Sequence, residues 1–566
     1  MNDAAPHWVC KLALPAAVAS GLLVLMLAGL LACNEARGKV STLVHSRQVI
    51  RLHEELRSRP RDEALKERIR RLDLELREEM FYRLELSHNA SRALLAGLAV
   101  FLASAHFVRV SRGRLPNPQE WGARKAGEEN RVTRLSRRAV AGGAALLAGT
   151  AVCLSMSPVR LPEPAPVVVA AAAPAFPTAQ EMQRQWPSFR GANGLGSAPN
   201  ATAPLSWNAA TGANIRWKTA VPLQGMSSPV VWDNAVFLTG ADKTQSCVYR
   251  FDVDSGALEW TATVRLPGGT RPETPEVGDN TGLAAPTPVT DGRRVYAVFP
   301  TGEIAAFDFS GKQVWARNIG PLDNSYGYAA SLAIYQDRLL VQIDRGQPED
   351  GESKMVALDT QTGQPRWEAK RDVAGSWSSP VVFDVGGKPE LITCANPFVI
   401  AYNPVDGKEL WRNKCLDSDV APSPVMAANM IVAVAPNTDI VGLRPGAADI
   451  AWKSDQGVPD ATSPVTDGQR VYIVNSDGLL TCYNLQTGKV IWTHDLGDQF
   501  YASPILAGNA LILVSCKGAA WVVEAGDVYK EIGKGDLGEE CCASPAPVGG
   551  RLLVRGRNNL FCIGAK

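Results

Sequence analysis

Histidine is scarce where imidazole chemistry would need it. The chain has six, and five of them (His7, His45, His53, His88 and His106) precede residue 110, leaving His494 alone in the C-terminal region. General-base or metal chemistry built on imidazole has almost no material there. The eleven cysteines include no C-x-x-C pair and no C-x-x-C-H haem attachment sequence, so neither covalent haem nor a disulfide framework is encoded. An excess of one charge is missing too. The 58 basic and 57 acidic residues exclude a nucleic-acid partner held by bulk charge. What remains is 566 residues, room for two or three domains.

The N-terminal part has the marks of a membrane region. Residues 12–33 carry no charge and are long enough to span a bilayer. A second apolar run near 91–109 has Arg92 and Arg109 placed to snorkel at its ends, and a third, Ala/Gly-rich run lies near 139–157. Between the second and third runs, Arg109, Arg112, Arg114, Arg124, Lys125, Arg131, Arg134, Arg137 and Arg138 outnumber three glutamates, and so basic a loop stays cytoplasmic. The expectation is about three transmembrane helices in 1–157, with a helical hairpin at 44–88 outside the membrane. A Pro/Ala-rich linker follows at 158–185. "LLAC" ending at Cys33 resembles a lipoprotein cleavage box and "SRRAV" at 136–140 a twin-arginine signal; the later apolar runs and the basic loop favour ordinary spans.

From 186 onward one unit recurs. In 462–497 four short strand-like stretches are separated by "DG", "SDG" and "QTG" turns. A Ser-Pro-like start appears at Pro229, Pro288, Pro380, Pro424, Pro464, Pro504 and Pro545, with "ASLAIY" at 330–335 a degenerate eighth. The later spacings of 44, 40, 40 and 41 residues match a four-stranded propeller blade, and an insertion at 265–285 lengthens the first step to 59. Turns ending in Gly precede Trp260, Trp315, Trp367, Trp411, Trp452 and Trp492, where Gly supplies positive φ and Trp can lie against the next blade. The last copy stops after three strands, and "NIRWKTAV" at 214–221 is spare, so the two ends complete one blade and close an eight-bladed ring.

The A-x-D-x-x-T-G-x-x-x-W repeat, complete at Ala357, Asp359, Thr362, Gly363 and Trp367, resembles that of PQQ-type β-propellers. "WPSFRGANGLG" at 186–196 is similar to the segment that leads into the ring of many bacterial PQQ-like repeat proteins. The expected architecture is therefore all-β, an eight-bladed PQQ-like β-propeller over 186–566, preceded by the α-helical membrane region. The resemblance takes in both quinoprotein dehydrogenases and non-enzymatic propellers such as the barrel-assembly lipoprotein, and fold does not choose between them.

In the dehydrogenases the resemblance implies PQQ in the central funnel beneath a disulfide between adjacent cysteines, with Ca²⁺ and an Asp base. Cys541 and Cys542 look like that pair, although neighbouring Cα atoms lie closer than a relaxed disulfide prefers. The loops before Ser-Pro should face the funnel, contributing Tyr328, Trp377, Asp460, Phe500, Tyr501, Cys541 and Cys542. Asp323, Asp417, Asp419, Asp498, Glu539 and Glu540 are nearby acidic groups. Three departures weigh against the enzyme: the pair belongs to the last blade, the blades are compact, and no haem motif offers an electron outlet. The expectation is two small side chains in a funnel-lining loop. The protein is then a membrane-anchored extracytoplasmic scaffold that binds a protein or small ligand. A PQQ- and Ca²⁺-dependent dehydrogenase feeding membrane quinone is the alternative.

Overall fold

The computed structural model describes residues 176–566 apart from 279, 280, 323, 447, 448 and 566, together with helical residues within 18–34 and 90–102. The expected hairpin at 44–88, the third span and most of the linker lie outside the described residues, as does Asp323. The chain divides into two compact units, Met1–Val168 and Val169–Lys566. In the first, a Cβ at Gly21 would come 3.2 Å from the Phe101 ring and one at Gly97 3.3 Å from Val24, so two helical pieces meet through glycines. Val18, Leu22 and Met26 form an exposed apolar row along one of them. Among the described residues no helix is long and apolar enough to cross a membrane.

The second unit is built of sheets. Eight antiparallel meanders follow one another, seven of four strands and one extended to six by two added segments. The sequence dictates this locally. In the sixth sheet, Val465–Thr466, Arg470–Val474, Leu479–Asn484 and Val490–Asp495 are separated by turns in which Asp467 and Asn484 carboxyl or amide oxygens accept backbone N–H groups. The second strand of that sheet is buried on both faces beyond its first residue, which explains its continuous apolar run, and the outermost strand alternates.

Neighbouring blades are joined by the repeated Trp and Gly. Trp315 on the outer strand of the second blade donates Nε1–H to Thr360 O of the third at 3.0 Å. Its ring lies against Gly363, where a Cβ would sit 2.6 Å away. Gly363 also has φ 68°, so two independent constraints demand glycine. Trp217, Trp260, Trp367 and Trp452 repeat the arrangement on Gly256, Gly311, Gly407 and Gly488. The Thr-Gly and Trp of one repeat therefore serve two different interfaces. Trp411 departs, donating to Glu390 within its own blade at 2.8 Å.

At the centre, the residue before each Pro forms a second kind of joint. Ser228 N–H donates to Thr287 Oγ1, Thr287 to Ser331 Oγ, Ser331 to Ser379 and Ser379 to Ser423, at 2.9–3.0 Å. Ser423 continues to Ser463, Ser463 to Ser503, Ser503 to Ser544, and Ser544 returns to Ser228, again at 2.9–3.0 Å. Eight backbone amides and eight hydroxyls thus form one closed cycle, and the degenerate "ASLAIY" copy takes part through Ser331. Pro follows because the innermost strand is an edge facing the channel, where an N–H would have no partner.

The ring closes as the spare strand implies. Ile215–Ala220 pairs antiparallel with Asn559–Ile563 as the outer strand of the eighth blade. Arg555, fully buried, adds a lock across the same seam by donating to Ser227 Oγ and Thr239 O of the first blade, both at 2.6 Å. Nothing in the sequence pattern indicates what 186–208 does. Trp186 bridges Val231 of the first blade, Pro187 O accepts from Thr290 of the second, and Gly194 meets Val381 of the fourth. Buried Arg190 reaches Pro464 O of the sixth, and Ser197–Ala198 pairs with Ile505–Ala507 of the seventh. These contacts follow the hydroxyl positions along the inner strands, so the segment crosses the channel at the end away from the Ser-Pro loops. Ser206–Asn208 then adds an outer strand to the seventh blade.

Two outcomes follow. Ser379→Ala leaves the buried amide of Ser331 without its acceptor and lowers stability by about 1–3 kcal/mol, whereas Ser379→Thr, the residue type at Thr287, retains most of it; thermal melts of both variants check this. Deleting 186–221 costs far more than deleting linker residues 158–175, since it removes the closing strand and the channel plug together. An equally stable, monomeric shortened propeller contradicts that assignment.

Candidate functional site

The channel is open toward the loops that precede the hydroxyl cycle. Two positions before each ring hydroxyl stands a residue that is partly or fully exposed in every blade: Met226, Ala285, Ala329, Trp377, Ala421, Ala461, Tyr501 and Cys542. The intervening position is buried in every blade. The alternation follows from the extended backbone leading into each inner strand. These eight side chains line the mouth, and half of them are alanine. In a ring of eight, Trp377 of the fourth position faces Cys542 of the eighth, with Tyr501 and Met226 on either side of the cysteine.

Each large residue has its own support. Trp377 Nε1–H donates to Gly327 O at 2.8 Å, and its ring lies 5.1 Å from that of Tyr326, itself 58% exposed. The insertion at 265–285 leans on the same loop, with Gly278 N–H on Tyr326 O at 3.3 Å. Arg271 holds the insertion to the first two blades through Ser246 Oγ at 3.2 Å and Glu303 at 3.5 Å. Tyr501 is 37% exposed; burial, with Asp460, Cys516 and Cys542 nearby, raises its phenol above the ordinary value.

Of the seven residues expected at the funnel, the structure places Trp377, Tyr501 and Cys542 in this exposed register. Tyr328, Phe500 and Cys541 stand one position earlier and are buried. Tyr328 donates to Gln342 O at 2.7 Å, Phe500 packs on Trp521, and Cys541 contacts Arg555 O at 3.3 Å. Asp460 is half-buried and takes the Ser476 hydroxyl. Sequence reasoning misses Met226 because no aromatic or polar signal marks it; counting two positions back from each Ser-Pro finds it.

The acidic groups are dispersed. Asp417 accepts from Thr438, and Asp498 pairs with Lys517 at 3.1 Å. Glu539 accepts from Asn558 and Asn559, Glu540 pairs with Arg557, and Asp419 is exposed. Among the described residues no group of three or more His, Cys, Asp or Glu side chains comes together to hold a metal ion. Below the hydroxyl cycle a cavity of about 30 Å³, bounded by plug residues Ser188 and Asn193, is large enough to hold water.

Eight four-stranded blades around a plugged channel, with a Trp docked on the next blade's glycine at five of the seams, define a PQQ-type β-propeller. A PQQ-repeat family model described as "Outer membrane protein assembly factor BamB" matches residues 201–327, 274–396, 350–464 and 450–530, and the chain belongs to this family. The protein of that name from Bordetella pertussis is 23% identical over 353 residues, 57% of this chain and 83% of its own length. The Salmonella typhimurium one is 22% identical over 286 residues, 41% of this chain and 71% of its own. Among solved structures, a europium-containing methanol dehydrogenase superposes with TM-score 0.52 at 13% identity, covering 67% of this chain and 92% of that one, a likeness of fold alone.

Proposed function

We propose that this chain is a membrane-anchored, extracytoplasmic propeller that binds a protein partner at its open mouth and carries out no quinone-dependent catalysis. The observation that carries this reading is the composition of the mouth: Met226, Trp377, Tyr501, Cys542 and four alanines offer an apolar, aromatic-edged rim rather than a charged catalytic centre. The hydroxyl cycle and the plug hold that rim rigid, and a rigid rim loses little entropy on binding. The matched relatives are named as assembly factors for outer membrane proteins, which supports a protein as the partner.

Anchoring rests on the uncharged stretch at 12–33 and the arginine-rich loop before 139. The exposed row of Val18, Leu22 and Met26, 56–64% exposed on a helix that meets its neighbour through glycine, suits contact with lipid. We place the anchor in the cytoplasmic membrane with the propeller facing the periplasm or cell exterior.

The competing reading, a PQQ-dependent dehydrogenase, makes a different forecast. On the binding reading, purified protein mixed with PQQ and Ca²⁺ gives additive absorbance spectra and dye-linked alcohol oxidation at background. Tight quinone binding with turnover reverses the conclusion.

A further inference from the structure

Eight cysteines lie among the described residues, and six are buried; the two that are half-exposed, Cys516 and Cys542, are the two whose thiols hydrogen-bond to each other. Cys516 sits between strands Ala510–Val514 and Ala519–Glu524 of the seventh blade, and Cys542 sits in the loop entering the eighth. The backbone fixes these loops side by side. Cys541 N–H donates to Cys516 O at 3.0 Å, and Cys516 N–H donates to Gln499 O at 2.7 Å. Cys541 itself turns inward, its Sγ 3.3 Å from Arg555 O and 3.4 Å from Ala543 O. The cysteines adjacent in sequence are therefore not the pair that the fold brings together.

We propose that Cys516 and Cys542 form a reversible disulfide across the seam between the seventh and eighth blades, which makes the channel mouth a site of thiol–disulfide exchange. Its occurrence in the cell rests on the extracytoplasmic placement proposed for the propeller. The two thiols are unequal. Their shared hydrogen bond lowers the Cys516 thiol and, with burial, raises that of Cys542, so Cys516 is the attacking sulfur. Burial raises the other six thiols among the described residues, with Cys541 pushed up to about 12. Cys516 thiolate attacks one sulfur of an incoming protein or small-molecule disulfide, forming a mixed disulfide and expelling one thiolate. Cys542, losing its proton, then attacks the Cys516 sulfur and expels the second thiolate. Two electrons pass from the pair to the incoming disulfide, and the two protons shed by the pair end on the two thiols released.

The closed form ties loop 515–518 to loop 537–543 beside Tyr501 and Met226, across the mouth from Trp377. One half of the binding rim thereby responds to redox state while the other half does not.

The full-length protein in detergent, equilibrated in glutathione buffers from reducing to oxidising, alkylated and digested, reads this out directly. A Cys516–Cys542 cross-linked peptide should rise to most of the protein under oxidising conditions and vanish again on reduction. Cys541→Ala should leave the midpoint within about twofold in glutathione ratio, and Cys516→Ser should abolish the cross-link. A Cys541–Cys542 link instead, or Cys516 and Cys542 both alkylated in the most oxidising buffer, overturns the proposal, and the unmutated protein alone is enough to show either. Trapping in intact cells tests the other reading. A pair that closes in the purified protein but is open in cells contradicts the extracytoplasmic placement and leaves the exchange chemistry standing.

Discussion

The closed cycle of amide-to-hydroxyl hydrogen bonds around the channel is the constraint on which the rest depends. Each inner strand is an edge, and an edge facing a narrow channel has no neighbour to satisfy its first amide. The neighbouring blade's hydroxyl satisfies it, and because every blade both donates and accepts, the count comes out even only when the ring closes on itself. Ser544 donating to Ser228 at 3.0 Å is the bond that completes it, between residues 316 positions apart. The outer joints, Trp on Gly at five of the seams, set the same blade-to-blade step at larger radius. With both joints fixed, the register of every loop entering an inner strand is fixed too. That register decides which side chains reach the mouth.

Closure uses three devices at once: the borrowed strand 215–220, the buried Arg555 lock and the plug. The plug is the unusual one. Trp186 is 1% exposed, and Gly191 lies so close beneath it that a Cβ would stand 2.6 Å from the indole. The glycine-rich W-x-x-x-R-G pattern is therefore a packing requirement, and it turns an open tube into a cup. A cup with one mouth presents one binding face, and the insertion at 265–285 raises one side of it.

Much of this is legible in the residues. Period, Pro positions and the Trp mark the eight blades, since each repeat must solve the same packing problem. The spare "NIRWKTAV" marks closure because a missing strand and an extra one cancel. The hydroxyl cycle is visible only as Ser-Pro; its hydrogen bonds join positions about 40 residues apart, which no local pattern shows. The plug has no repeat to compare with. At the mouth, the loops can be found from the repeat but their alternation cannot, so buried Tyr328, Phe500 and Cys541 stand equal in sequence with Trp377, Tyr501 and Cys542, which reach the surface. Nothing local singles out Cys516, because its partner is close only across a blade seam.

If the binding reading is right, the mouth, and not the blades' outer strands, is where this protein meets its partner. A photo-crosslinking amino acid placed at Trp377, at Tyr501 and at Val528, which is 74% exposed in the turn before the outer strand of the seventh blade, tests it in living cells. One adduct of the same size is expected from both mouth positions and none from Val528. Adducts from Val528 with none from the mouth would contradict it.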